Sequence, residues 1–74
     1  MFLNSIFFFQ YFYALYDFTP TGPNQLSLRK GQVVLVLHKC DLNQNSEWWF
    51  VEDRHGNKGY VPALYLNKYS KDVA

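Results

Sequence analysis

One cysteine, Cys40, stands in a chain of 74 residues, which excludes an internal disulfide and any cysteine-built metal cluster. Domains of this length commonly rely on such staples, so an apolar core has to hold the fold unaided. A lone cysteine also fits a reducing compartment, and a cytoplasmic setting is expected. Charge of one sign is equally scarce. Seven Lys or Arg stand against six Asp or Glu, scattered without a basic stripe. The electrostatic footprint that phosphate backbones demand is missing, and no nucleic-acid partner is expected. The apolar stretch over residues 1–13 is interrupted by Asn4, Ser5 and Gln10, well short of the ~20 residues that span a bilayer. It lacks a preceding Lys or Arg and a small-residue cleavage pattern, so neither a signal peptide nor stable membrane insertion is expected. Residues 1–10 are expected to be an apolar extension outside the domain, and an aggregation liability if exposed.

Catalytic groupings are absent as well. The four glycines are dispersed singly, so no phosphate-cradling loop occurs, and no Ser, Cys or Lys sits in a nucleophile motif. His38 and His55 have no carboxylate or cysteine partner at ligand spacing, and no metal is expected. Glu52 and Asp53 adjoin at a strand end, where two solvated charges are the ordinary outcome. The chain is not expected to be an enzyme or to need a cofactor.

What the chain has in plenty is aromatic surface: seven Phe, six Tyr and two Trp, more rings than a core this small encloses. Beyond Tyr11 it reads as short strands parted by turn residues, with no sustained helical period and no repeat. Phe12 and Ala14 alternate with Tyr13 and Leu15, giving a first strand one inward face. Pro20, Gly22 and Pro23 break any strand; two prolines remove donors and Gly22 permits positive φ. Leu26 and Leu28 alternate with Ser27 and Arg29 where that loop returns, and Lys30-Gly31 turns it. Residues 33–37 form an uninterrupted aliphatic run, the best central strand. Residues 39–46 are polar and turn-forming, residues 48–52 are strand-like, and residues 53–58 form a hairpin connection with Gly56 and Asn57 expected in left-handed geometry. Gly59-Tyr60-Val61 starts another strand, Pro62 halts it, and residues 66–68 are a short last one. Five short strands of this kind favour an all-β sheet curled into a small barrel, because closure removes exposed edges. Phe12, Ala14, Leu26, Leu28, Val34, Val36, Val51, Val61 and Leu66 would fill its interior.

Four segments lie in order: Ala14-Leu15-Tyr16-Asp17-Phe18, Leu26-Ser27-Leu28-Arg29-Lys30-Gly31, Trp48-Trp49, and Gly59-Tyr60-Val61-Pro62 with Tyr65-Leu66 following. Together, over residues 11–69, they resemble the Src-homology 3 (SH3) family. The Pro23-Asn24-Gln25-Leu26-Ser27 stretch and the Ser46-Glu47-Trp48-Trp49 context look like the terminal SH3 domain of a Rho guanine nucleotide exchange factor or a related scaffold. The resemblance implies a five-stranded barrel of two orthogonally packed sheets with a short 3-10 turn before the last strand, and a tail over residues 70–74. It also implies a monomeric, non-catalytic module of a signalling or cytoskeletal adaptor that binds proline-rich segments.

Such a ligand is a polyproline II helix, three residues per turn and without internal hydrogen bonds, which presents ring ridges and bare carbonyls already in the bound shape. A matching surface needs flat aromatic walls with hydroxyl and indole donors. By resemblance Tyr16, Phe18, Trp48, Pro62 and Tyr65 build the slots, Tyr60 flanks a specificity pocket, and Gln25, Asp41 and Glu47 line it. Burial is the ordinary fate of an aromatic residue, but here the core positions are already taken. Trp49 and Phe50 keep a structural role, since neighbours on a strand face opposite ways, and Trp49 is expected to cover the barrel's outer side. Three departures from the family pattern bear on the ligand. Phe18 replaces a second Tyr and removes one hydroxyl. Residues 19–25 hold no acid, with Gln25 where the chief acid often stands, which weakens the case for a basic flanking residue. Leu64 stands where many members have a donating Asn. A second reading, in which the barrel docks on its parent protein or a folded partner without a proline ligand, stays open; a nucleic-acid-binding barrel is disfavoured by the neutral charge.

Overall fold

Apolar–polar alternation at a period of two puts one face of each segment inward, and the strands follow that pattern. The structure, a computed structural model, describes residues 10–69. Strand β1 (Gln10–Ala14) buries Phe12 and Ala14. It starts one residue before the expected Tyr11, because Gln10 already pairs with Val36. The expectations for residues 1–9 and 70–74 lie outside the described residues. Strand β2 (Val33–His38) buries Val34 and Val36, β3 (Trp48–Glu52) buries Val51, and β4 (Lys58–Pro62) buries Gly59 and Val61. A 3-10 turn, Ala63–Tyr65, follows. Pro62 has no N–H to continue the ladder, so the strand stops there. Strand β5 (Leu66–Lys68) closes the described chain and contributes Leu66.

All five strands are antiparallel and hydrogen-bonded in one sheet, ordered β4-β3-β2-β1-β5. The inward residues of every strand meet in one cluster, which requires the sheet to curl until its two halves face each other. A register shift between Val36 and His38 marks where β2 departs from regular pairing on β3; such irregularities sharpen the local twist. The β4 edge is not left bare. The loop between β1 and β2 lays Gln25 beside Tyr60 as a parallel bridge, with Leu26 N–H donating to the Tyr60 carbonyl at 3.1 Å and Tyr60 N–H to that of Asn24 at 2.7 Å. That contact shields an edge that would otherwise template pairing with another chain.

Eight of the nine expected interior residues are buried. Leu26 is the exception: it is half-buried and packs against the cluster from outside. Its backbone bond to Tyr60 holds it over β4 rather than within the barrel. Trp49 also departs from expectation. Rather than covering the outside, it packs against the core cluster, edge-on to Phe12 at 5.1 Å between ring centres, with Lys39 Nζ 5.2 Å from its ring centre.

Left-handed backbone falls at Asn24, Gly31, Gln44 and Gly56, as expected for Gly56 but not for Asn57. In the β3–β4 hairpin the Asp53 carboxylate does the organising. Its Oδ1 accepts the N–H groups of His55 and Asn57, both at 2.9 Å, and Oδ2 accepts the Asn57 side-chain amide at 3.2 Å. Partial desolvation pushes this carboxyl upward, but the Asn57 and His55 donors and the nearby His55 charge outweigh it and hold the pKa below its ordinary value.

Candidate functional site

Backbone bonds set the rings before any ring touches another. Leu15 N–H donates to the Tyr65 carbonyl at 2.7 Å, which brings Tyr16 beside the 3-10 turn. Phe18 and Leu28 exchange two backbone bonds of 3.0 Å, and Asp17 Oδ1 accepts Lys30 N–H at 2.7 Å, so the base of the first loop is fixed. Trp48 opens β3 opposite Pro62, and Ala63 N–H donates to the Glu47 carbonyl at 2.9 Å.

The rings so placed form a connected row. Tyr16 meets Tyr65 edge-on at 5.3 Å, Tyr65 meets Phe18 at 5.8 Å, and Phe18 meets Trp48 at 6.0 Å. Edge-to-face contact leaves the faces of alternate rings open as walls. Tyr16 is 57% exposed and Phe18, Trp48, Pro62 and Tyr65 are half-buried: the row sits on the barrel, rooted in it but open to water. Among the described residues, the hydroxyls of Tyr16, Tyr60 and Tyr65 and the Trp48 indole N–H make no hydrogen bond within the protein. By contrast Trp49 Nε1 donates to the Ser46 carbonyl at 2.9 Å and the Tyr13 hydroxyl accepts from Asn67 at 3.0 Å. Two adjacent tryptophans thus have opposite fates: one is spent on the fold, the other keeps its donor.

The Trp48 indole divides two hollows. One, of about 440 Å³, lies between it and Pro62, Leu64 and Tyr65, with Glu47 on its rim. The other, of about 210 Å³, lies between Trp48 and Tyr60 and includes Gln25, Asp41 and Leu42. The five expected slot residues therefore lie in one connected group, and Tyr60 lines the smaller hollow, braced by Phe50 at 4.8 Å. The three expected specificity residues do not gather: Gln25 and Asp41 share the smaller hollow, while Glu47 lines the opposite one. Gln25 is also turned inward. Its Oε1 accepts Thr21 N–H at 2.7 Å and Gly22 N–H at 3.2 Å, so it braces the loop tip rather than offering an acceptor to a ligand. Asp41 Oδ1 is likewise engaged by the N–H groups of Asn43 at 2.8 Å and Asn45 at 2.9 Å.

Leu42 was missed by sequence reasoning. It is 86% exposed on the smaller hollow. The available signal was a single leucine within a polar turn, where the fold has no use for an apolar side chain. Leu64, equally exposed, lines the larger hollow. A third hollow, of about 640 Å³, runs along β1, β2 and the turn after β3. It shares no residue with the ring row and has no comparable set of aromatic walls. Among the described residues no three His, Cys, Asp or Glu side chains gather as a metal site would require, and no helix is long and apolar enough to cross a membrane.

A curled five-stranded sheet of this kind is shared with known proteins. Residues 14–67 match the family described as variant SH3 domain, and the chain belongs to the SH3 family of protein-interaction modules. It is 49% identical over 59 residues to Rho guanine nucleotide exchange factor 38 of Mus musculus, a match covering 80% of this chain and 8% of that protein. It is 41% identical over 59 residues to the Homo sapiens dynamin-binding protein, covering 80% and 4% respectively. The chain thus spans under a tenth of the length of either relative. Among solved structures, the C-terminal SH3 domain of myosin IB from Entamoeba histolytica bound to the EhFP10(GEF) peptide superposes with a TM-score of 0.72 at 26% identity, covering 84% of this chain and 95% of that one.

Proposed function

We propose that residues 11–69 form a module that binds proline-rich segments in the polyproline II conformation along the row Tyr16–Tyr65–Phe18–Trp48. The observation that carries this reading is the connected row of half-open rings, whose hydroxyl and indole donors have no partner among the described residues. A helix of prolines fits such a row because its rings fill slots between aromatic walls and its bare carbonyls meet the free donors. Tyr16, Phe18, Trp48, Pro62 and Tyr65 form the slots in this reading, and Tyr60 walls the adjoining hollow. The peptide held by the Entamoeba histolytica relative supports a peptide as ligand. The similarity to an exchange factor and to dynamin-binding protein supports a cytoplasmic signalling or cytoskeletal adaptor as the parent chain.

A shallow, solvent-open groove gives a transient contact, on the order of −6 to −8 kcal/mol, micromolar to tens of micromolar. Titration with proline-rich peptides, followed by indole fluorescence, tests the reading. Trp48→Ala should abolish binding, read by calorimetry because the substitution removes the reporting indole, while leaving the urea unfolding midpoint close to that of the parent. No response at millimolar peptide refutes it in favour of docking without a proline ligand. Unfolding of the variant refutes the assignment of Trp48 to a binding surface.

A further inference from the structure

The smaller hollow beside Trp48 adjoins the ring row, and what its lining can hold rests on the peptide-binding reading above. Among the residues lining it, Pro23, Leu42, Trp48 and Tyr60 supply apolar walls, and Asp41 is the sole carboxylate. A guanidinium is held best by two parallel bonds to both oxygens of a carboxylate. Asp41 Oδ1 already accepts two backbone N–H groups, and an oxygen has two lone pairs to offer, so one oxygen of this carboxylate is left for a ligand. Gln25 adds no acceptor there, because its Oε1 is held by Thr21 and Gly22. Residues 19–25 contain no acid, and Glu47 lies across the indole on the other hollow. Against this weak anion, Leu42 presents a nearly bare aliphatic side chain, 86% exposed.

We propose that this domain selects proline-rich ligands in which the residue flanking the proline core is a large aliphatic side chain rather than Arg or Lys, with Leu42 as the specificity-determining residue. An exposed single ion pair changes affinity by less than about fivefold. Covering much of one leucine side chain against apolar walls changes it by about tenfold. The aliphatic ligand therefore wins, and its advantage widens as salt screens the ion pair.

The test uses the 74-residue chain and three synthetic peptides sharing one proline core, flanked at both ends by Leu, by Arg or by Ala, so that either chain direction presents the flank. Affinities are read by indole fluorescence at low and high salt. The expected result is Leu tighter than Arg by about threefold or more, with the Leu affinity insensitive to salt. Leu42→Asp should reverse the order, and Leu42→Ala should remove the preference. Both should keep the parental unfolding midpoint, which the same fluorescence reads, because an 86% exposed side chain contributes little to the core. Arg tighter than Leu, or a preference for Leu that survives Leu42→Asp, overturns this inference and leaves the peptide-binding reading standing. If none of the three peptides binds, both fall together.

Discussion

Gly59 is the position where the structure makes its sharpest mechanical demand. A Cβ placed there would lie 2.9 Å from Leu26 Cβ, 2.9 Å from the Leu26 backbone nitrogen and 3.0 Å from the Gln25 carbonyl carbon. Two of these three obstacles are backbone, and that backbone is held by the bonds between Leu26, Tyr60 and Asn24. Relief requires the loop to move away from β4 and stretch those bonds. Overpacking of this kind costs about 1–3 kcal/mol, and a weakened hydrogen bond adds about 0.5–1.5 kcal/mol, so Gly59→Ala should cost about 2 kcal/mol or more. A domain with this many ordered residues has roughly 3–9 kcal/mol in all. The melting temperature should fall by about 8–16 °C, read by indole fluorescence on heating and checked in urea. Gly56 is the control, because it has φ +86 and nothing within 4 Å of an added Cβ. There the cost is conformational, so Asn, which tolerates left-handed backbone, should be milder than Ala. At Gly59 the larger Asn should be worse than Ala. If Gly59→Ala is as stable as the parent, or if Asn rescues it as at Gly56, the close approach of loop and strand is wrong.

Phe18→Tyr should tighten proline-peptide binding by about twofold to tenfold, since it restores a hydroxyl worth roughly 0.5–1.5 kcal/mol beside Trp48 and Tyr65; unchanged affinity in calorimetry would show that no ligand carbonyl lies within reach. Asp53 gives a pH signature. Its pKa is lowered in the folded state, so its contribution is complete above the unfolded value of about 3.9 and is lost as pH falls through the lower folded value. The stability difference between the parent and Asp53→Asn, from urea midpoints, should be flat above about pH 5 and shrink below about pH 4. A difference independent of pH down to 2 would refute the role of the ionised carboxylate in the hairpin.

The strands were legible because their causes are local. Alternation at Phe12 and Ala14, the aliphatic run of β2 and the proline stop at Pro62 depend on neighbours along the chain, and the structure places the strands there. The ring row was legible only through the ordered motifs shared with a family, because nothing in spacing alone tells an exposed tyrosine from a buried one. Of the two left-handed positions expected in the hairpin, Gly56 is left-handed and Asn57 is not, because Asp53 organises that turn from outside its centre, and the left-handed Asn24 had no local signal.

The amino-acid order by itself determined the five strands, the inward set of aliphatic residues and the surplus of rings that had to lie outside it. The tertiary structure alone decided which way those side chains were spent: Gln25 folded back on its own loop, Asp41 was half-consumed by backbone donors, Glu47 and Asp41 fell on opposite sides of one indole, and Leu42 was left bare. Period and propensity describe a residue against its neighbours in sequence, whereas these outcomes depend on backbone brought close from distant segments, and only the folded chain sets those distances.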